Sequence, residues 1–193
     1  TTAEMLKEFD YLGERAKEIV IDNTNLIAAM TEEFQPVPDE KCPPSIDGAD
    51  ETLRSTCYAN AGRIYGEPLP EEIRERLDTE LNSIISNGYA VMYVAAQLLV
   101  EKSNKDGYLV GSRGSVGSSF AATMAGITEV NPLEPHYICP KCHKLEFTKK
   151  LDVYDTGFDM PDKVCVRCGT PMDKNGLNIP FATFLGFNGD KEP

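Results

Sequence analysis

Cys139-Pro140-Lys141-Cys142 and Cys165-Val166-Arg167-Cys168 are the two stretches of this sequence that decide the fold around them. They are separated by 22 residues, and two Cys-x-x-Cys pairs at this distance can place four thiolates around one metal ion. Each pair belongs in a tight turn, and Gly169 stands where a positive φ is often required. The spacing predicts a structural zinc site in a module inserted at residues 135–172.

Three other interpretations of these cysteines stay open on the sequence. Two disulfides would suit a secreted protein, but no signal peptide or apolar span of membrane length precedes them, so a reducing cytosol is the simpler setting. Iron is an alternative because a tetrahedron of four sulfurs does not distinguish iron from zinc. Residues 139–143 also satisfy the Cys-x-x-Cys-His pattern of c-type haem attachment, which would leave the second pair unexplained.

The other histidines and cysteines show no metal-binding pattern of their own. His136 and His143 are expected to be solvated loop histidines, although either could replace a displaced thiolate. Cys42 and Cys57 lie apart from the group and are expected to be small buried or unpaired thiols. The predicted metal ligands are therefore Cys139, Cys142, Cys165 and Cys168.

Residues 111–119 form a run of small side chains that reads Gly-Ser-Arg-Gly-Ser-Val-Gly-Ser-Ser. Residues 107–110 predict a strand before it, and residues 118–124 predict a serine-capped helix after it. Such a turn directs backbone N–H groups and the helix dipole towards an anion. The run has neither Walker spacing nor G-x-G-x-x-G. It predicts a phosphate site, with a tight packing turn as the alternative; the candidate residues are Gly111, Ser112, Arg113, Gly114 and Ser115.

These motifs, in their order along the chain, resemble a known family. Residues 106–119, residues 127–133, the four cysteines and residues 184–191 are similar to the PolC-type replicative DNA polymerase, the alpha-subunit of DNA polymerase III in low-GC Gram-positive bacteria. The resemblance implies that residues 111–119 are the glycine-serine motif of a polymerase-beta-like palm, which contacts the triphosphate of an incoming deoxynucleotide. It also implies primer-template DNA and replisome proteins as partners, a cytoplasmic location and no membrane.

The resemblance further implies magnesium as a cofactor of the complete enzyme. In the family, the phrase Gly-Asp-Lys-x-Pro precedes an Asp-x-Asp pair that binds the catalytic ions, and the phrase here occupies residues 189–193. Nucleotidyl transfer needs carboxylates that hold two metal ions about 4 Å apart, and Asp190 and Glu192 are a poor substitute. No catalytic residue is therefore assigned. We expect no primer extension by these 193 residues with magnesium and all four nucleotides; incorporation above a buffer control would contradict this.

Charge and composition limit the role of the first part of the chain. The net charge is −12, and residues 1–80 carry 19 acidic and 8 basic side chains, against 12 and 11 in residues 81–193. Surfaces that bind DNA are usually basic, so residues 1–80 are excluded as a main DNA track. A hydrophobic content of 41% is that of a globular chain.

The predicted fold class is α+β: a helix-rich chain with a partial polymerase-beta-like palm sheet and an inserted four-cysteine zinc-ribbon-like module. By the resemblance, residues 1–35 are C-terminal helices of a PHP domain and residues 49–193 are the first part of the palm, with residues 36–48 as a proline-rich linker. Residues 179–187 are expected to pack on the palm sheet, and an unpaired sheet edge would permit dimerisation. Helices are predicted near residues 1–10, 16–20, 23–33, 49–65, 70–86 and 89–100.

A different class of function also fits these motifs. In this alternative the chain is a non-catalytic binding module, in which a zinc ribbon on a helical scaffold recruits protein or nucleic acid. The glycine-serine run would then be only a turn. Binding of a nucleoside triphosphate distinguishes the two hypotheses.

Overall fold

The fold is taken from a computed structural model, which describes residues 1–37, 44–111, 114–148 and 154–181. The chain divides into two compact units, residues 1–42 and residues 43–193. The predicted linker, residues 36–48, spans this division. The assignment of the units to a PHP domain and a palm stays a prediction.

The first unit consists of short helical segments. Helices α1 (Thr2–Glu8), α2 (Arg15–Lys17) and α3 (Asn23–Ala29) alternate with a 3₁₀ turn at Asp10–Leu12 and a π-helical segment at Glu18–Asp22. Helix α1 begins with a capping box, in which Thr1 Oγ1 accepts a hydrogen bond from the Glu4 N–H and the Glu4 carboxylate accepts one from the Thr1 backbone nitrogen. Ala16 is the one buried side chain among the residues described in this unit.

Helix α3 begins at Asn23, close to the predicted position, but it continues an already helical backbone, and neither Asn23 nor Thr24 caps it. The backbone is already helical through the π-helical segment, and Thr24 Oγ1 donates back to the Val20 carbonyl at 2.6 Å instead of capping a new helix. A hydroxyl that satisfies a carbonyl of the preceding turn continues a helix rather than starting one. The helix also ends at Ala29, short of the predicted residue 33.

The second unit is built on four helices: α4 (Ala49–Tyr65), α5 (Glu71–Ser86), α6 (Ala90–Lys105) and α7 (Phe120–Met124). Helix α4 contacts each of the other three, and α5 also contacts α7. The predicted helix near residues 70–86 is confirmed as α5, and it carries an apolar stripe in which Leu77, Leu81 and Ile84 are fully buried and Ile85 is partly buried. Phe120 of the short α7 is fully buried among them. Small α7 therefore lies in the centre of the helical core.

The predicted helix near residues 89–100 is present as α6, but it is not buried on all sides. Its inner face, with Tyr93 and Val94, is buried, but Leu98 and Leu99 are 53% and 73% exposed. It also continues to Lys105, where polar residues make its last turns amphipathic. Within the described residues no single helix is long and apolar enough to span a membrane; α5 and α6 meet that test only as a pair bent by 109°.

The strand predicted at residues 107–110 is also wrong for the described part of the chain. These residues pair with no other described strand, and the side chain of Leu109 is 100% exposed. Extended backbone without a neighbouring strand lacks the ladder of hydrogen bonds that defines a strand.

The sheet among the described residues is small and antiparallel. Strands β1 (His136–Ile138), β2 (Leu145–Phe147) and β3 (Asp173–Asn175) are ordered β2-β1-β3. Tyr137, at the centre of β1, is paired with Glu146 on one side and Lys174 on the other. The whole of this sheet lies around the cysteine pairs. The chain is thus helix-rich with a small sheet, and the predicted palm sheet stays a prediction.

Candidate metal centre and glycine-serine site

The structure brings the four cysteine sulfurs into one cluster, with every Sγ atom within 4.8 Å of the others. Cys139 Sγ lies 3.4 Å from Cys168 Sγ, and Cys142 Sγ lies 3.5 Å from Cys165 Sγ and 3.7 Å from Cys168 Sγ. Sulfurs around tetrahedral zinc, with Zn–S bonds of about 2.3 Å, are about 3.8 Å apart. The sulfurs of a disulfide are about 2.05 Å apart, so the disulfide alternative is wrong. The cluster could hold a metal such as zinc.

Both cysteine pairs are held in the same backbone turn. In the first pair the His143 N–H donates to the Cys139 carbonyl and the Cys139 N–H donates to the Lys144 carbonyl, each at 3.0 Å. In the second pair, the Gly169 N–H donates to Cys165 and the Cys165 N–H donates to Thr170, each at 2.8 Å. The fifth residue of each turn is left-handed, with φ of +53° at His143 and +70° at Gly169. The positive φ predicted at Gly169 is confirmed.

The surroundings shift the pKa values of two cluster thiols in opposite directions, since burial raises the pKa of Cys142 to about 12 while that of Cys168 is lowered. Cys139 and Cys165 are buried beside Tyr137, Met160 and Met172, whereas Cys142 and Cys168 are partly exposed. The Thr170 hydroxyl, 3.3 Å from Cys168 Sγ, and the Thr170 N–H lower the pKa of the Cys168 thiol to about 6. Metal ligation requires deprotonated cysteine, so the case for a metal site rests on the grouping of the four sulfurs. Iron fits four sulfurs as well as zinc does.

The expectation of a solvated loop histidine is wrong for His136, whereas His143 is a partly exposed loop residue. His136 is fully buried in β1, with Nδ1 donating to the Glu134 carbonyl at 2.7 Å and Nε2 3.5 Å from the Tyr65 hydroxyl. Burial lowers the pKa of His136. His143 Nδ1 donates at 2.9 Å to the carbonyl of Ile64, one of the last carbonyls of α4. Both rings attach the cysteine module to the end of α4.

Cys57 plays no part in the cluster that the structure describes. Cys57 is fully buried on α4, and its thiol donates to the Ala121 carbonyl at 3.3 Å. Burial raises the pKa of Cys57 to about 12, which confirms the prediction of a buried thiol. Cys42 lies outside the described residues.

The candidate phosphate residues are only partly described, because Ser112 and Arg113 lie outside the described residues. Gly111, Gly114 and Ser115 are exposed, and residues 114–118 form a 3₁₀ turn that leads into α7. The prediction of a serine-capped helix is confirmed, since Ser119 Oγ accepts from the Ala122 N–H at 3.1 Å. A cleft of about 510 Å³ adjoins Gly111 and is lined by Asn104, Leu109, Val110, Gly126, Thr128 and Glu129.

The N-terminus of α7 is already occupied by a carboxylate of the protein. Glu80 of α5 is fully buried and accepts from the N–H groups of Ala121, at 2.9 Å, and Phe120. Burial raises the pKa of Glu80, while Arg76 and these N–H groups oppose the rise. The expectation that α7 presents its first N–H groups and dipole to a phosphate is therefore wrong.

Glu80 and its partner Arg76 were not among the predicted functional residues. The ion pair is visible in the sequence only as Arg and Glu four residues apart on a predicted helix, a common pattern on exposed faces. A stronger signal is that Glu80 lies three residues after Leu77 and four before Ile84, within the apolar stripe. An acidic residue in such a stripe predicts a buried carboxylate with specific partners.

Comparisons with known proteins agree on one family. The family model described as "Bacterial DNA polymerase III alpha NTPase domain" matches residues 51–193. All of the chain aligns with proteins named "DNA polymerase III PolC-type": with 61% identity to that of Caldanaerobacter subterraneus subsp. tengcongensis, 60% to that of Clostridium perfringens and 58% to that of Staphylococcus aureus. The chain spans 13–14% of the length of these relatives.

Proposed function

The chain belongs to the bacterial DNA polymerase III alpha family, and from this membership we propose that it forms the nucleotide-contacting part of a replicative DNA-directed DNA polymerase. The observation that carries the proposal is that the matched region, residues 51–193, contains the whole glycine-serine run. In the complete enzyme this run would contact the triphosphate of the incoming deoxynucleotide. Inactivity of the 193 residues by themselves stays a prediction.

In this proposal the phosphate contacts the exposed start of the glycine-serine run. The dipole of α7 takes no part in binding it. Gly111, Gly114 and Ser115 are accessible, and glycine lets a phosphate approach the backbone closely. The first N–H groups of a helical turn have no partner within that turn. The N–H groups at the start of the 3₁₀ turn, Gly114–Ser118, are therefore suited to donate hydrogen bonds to an anion. Arg113 supplies the cation and the Ser112 hydroxyl a further donor.

We propose zinc as the ion of the four-cysteine cluster, with a structural role. All four positions of a tetrahedron are taken by cysteine, which leaves no open position for substrate. Two equivalent turns and a three-stranded antiparallel sheet support the zinc-ribbon-like description. Magnesium is proposed for the complete enzyme, and no described residue is assigned to it.

Primer-template DNA, replisome proteins and a cytoplasmic location are proposed for the complete enzyme from the family alone. The alternative function, a non-catalytic binding module, draws support from one feature of the structure: the amides at the start of α7 are already satisfied by Glu80. If the N–H groups at the start of the glycine-serine run are also bonded to groups of the protein, the run is only a turn. Titration with a nucleoside triphosphate distinguishes the two functions.

Arg113→Ala tests the proposed triphosphate contact. Loss of a charge-assisted hydrogen bond to phosphate is expected to weaken binding of a magnesium–deoxynucleoside triphosphate by ~2–3 kcal/mol. Isothermal titration of the chain and its variant measures the difference. Arg63→Ala is the matched control, because Arg63 is an exposed arginine on α4. Equal affinity of Arg113→Ala and the unaltered chain would favour the binding module.

A further inference from the structure

An ion pair on α5, between the buried Glu80 and the partly exposed Arg76, holds the downstream end of the glycine-serine run. The Glu80 side chain is 0% exposed, and its Oε1 accepts a hydrogen bond from Nε of Arg76. Its other oxygen, Oε2, accepts from Ser119 Oγ at 3.0 Å and from the Ala121 N–H at 2.9 Å. Glu80 therefore joins the last residue of the run and the first turn of α7 to the rigid α5.

Arg76 extends this connection to a second segment of the chain. One terminal nitrogen of its guanidinium group donates to the Ser118 carbonyl at 3.1 Å and to the Ile179 carbonyl at 3.3 Å. A planar guanidinium presents several donors in fixed directions, which a lysine ammonium cannot reproduce. The arginine thus fixes the end of the run and residue 179 relative to each other.

The neighbouring polar groups complete the network. Ser119 Oγ, which donates to Glu80, accepts from the Tyr93 hydroxyl at 3.2 Å and from the Ala122 N–H at 3.1 Å. Burying a charge pair is costly, and an apolar pair of similar volume often stabilises a core as well or better. Fold stability alone therefore gives little reason for a charged pair at this place, whereas a fixed position of Ser118 and Ser119 gives one.

We propose that Glu80 and Arg76 are positioning residues, which set the affinity of the glycine-serine run for triphosphate without touching it. The inference rests on the proposed function of that run. Through Ser118 and Ser119 the pair orients the 3₁₀ turn that begins at Gly114. By filling the N-terminus of α7 with an internal carboxylate, Glu80 also keeps the triphosphate away from the first N–H groups of that helix.

Arg76→Lys tests the positioning role, because it keeps a positive charge beside Glu80 and removes the simultaneous contacts to Ser118 and Ile179. Amide hydrogen exchange without nucleotide is expected to accelerate by about tenfold or more at residues 114–119, the effect of losing a charge-assisted hydrogen bond. Exchange in the buried centre of α4 should stay unchanged. Titration with magnesium–deoxynucleoside triphosphate should show about tenfold weaker binding.

Arg74→Lys is the matched control, an exposed arginine on the same helix that is expected to leave both measurements unchanged. Acceleration spread evenly over the second unit, or none at residues 114–119, overturns the positioning role. If Arg76→Lys fails to fold, hydrogen exchange in the unaltered chain tests the proposal instead. The Ala121 amide must then exchange as slowly as the amides in the core of α5, and fast exchange at Ala121 overturns the proposal. Arg76→Lys could accelerate exchange at residues 114–119 although the unaltered chain binds no triphosphate. That result would contradict the proposed function, but Glu80 and Arg76 would still be shown to position the run.

Discussion

Replacement of Cys165 by serine is expected to abolish stoichiometric metal binding and to unfold the module of residues 135–172. Cys165 is buried, and its sulfur lies 3.5 Å from Cys142 Sγ, so serine would remove one of four ligands from the interior of the cluster. Structural zinc contributes about 10–16 kcal/mol to the folding of zinc-finger peptides. The metal content of the purified chain, measured by elemental analysis, should fall from one ion per chain to none.

Cys57→Ala is the matched control for this substitution. Cys57 is also a buried cysteine, but its thiol bonds to the Ala121 carbonyl and is not part of the cluster. The control should keep one ion per chain, and the same analysis identifies that ion as zinc or iron. An unaltered metal content in Cys165→Ser would contradict the assignment of the ligands.

Leu77→Ala is expected to lower the free energy of unfolding of the second unit by about 2–5 kcal/mol, the usual cost of a leucine-sized cavity. Leu77 is fully buried in the core formed by α4, α5 and α7, and its removal leaves space that surrounding side chains fill only in part. Urea denaturation followed by circular dichroism measures the change. Because α5 also carries Arg76 and Glu80, weaker triphosphate binding should accompany it.

Leu98→Ala on α6 makes the same chemical change at a side chain that is 53% exposed. It should alter the free energy of unfolding by no more than about 0.5 kcal/mol, as most surface substitutions do. Equal losses for the two variants would contradict the assignment of the core. A small loss for Leu77→Ala alone would mean that the site can collapse around the cavity.

Features decided by nearby residues could be predicted from the sequence. The capping box at Thr1, the serine cap at Ser119 and the stripe on α5 depend on spacings of a few residues. The four cysteines combine two such short spacings, so their cluster could be anticipated although the pairs lie far apart in the chain. The bonding possibilities of sulfur supply the missing long-range information.

Features decided by distant partners could not be predicted. Glu80 bonds to Ala121, 41 residues away, and His136 lies beside Tyr65, 71 residues away; neither partner is marked by any local pattern. The strand predicted at residues 107–110 has no partner among the residues that the structure describes, and a strand requires a neighbour that sequence periodicity does not supply. Long-range pairing also determines which part of the glycine-serine run has free N–H groups.

The bonds between the cysteine module and α4 are expected to couple metal loading to the unfolding of that helix. His143, next to a proposed ligand, donates to the Ile64 carbonyl, and His136 Nε2 lies 3.5 Å from the hydroxyl of the adjacent Tyr65. A chelator would therefore release restraints on the last turn of a core helix as well as an ion. Calorimetry of the second unit should show one endotherm for the loaded protein, which moves to lower temperature as the ion is withdrawn.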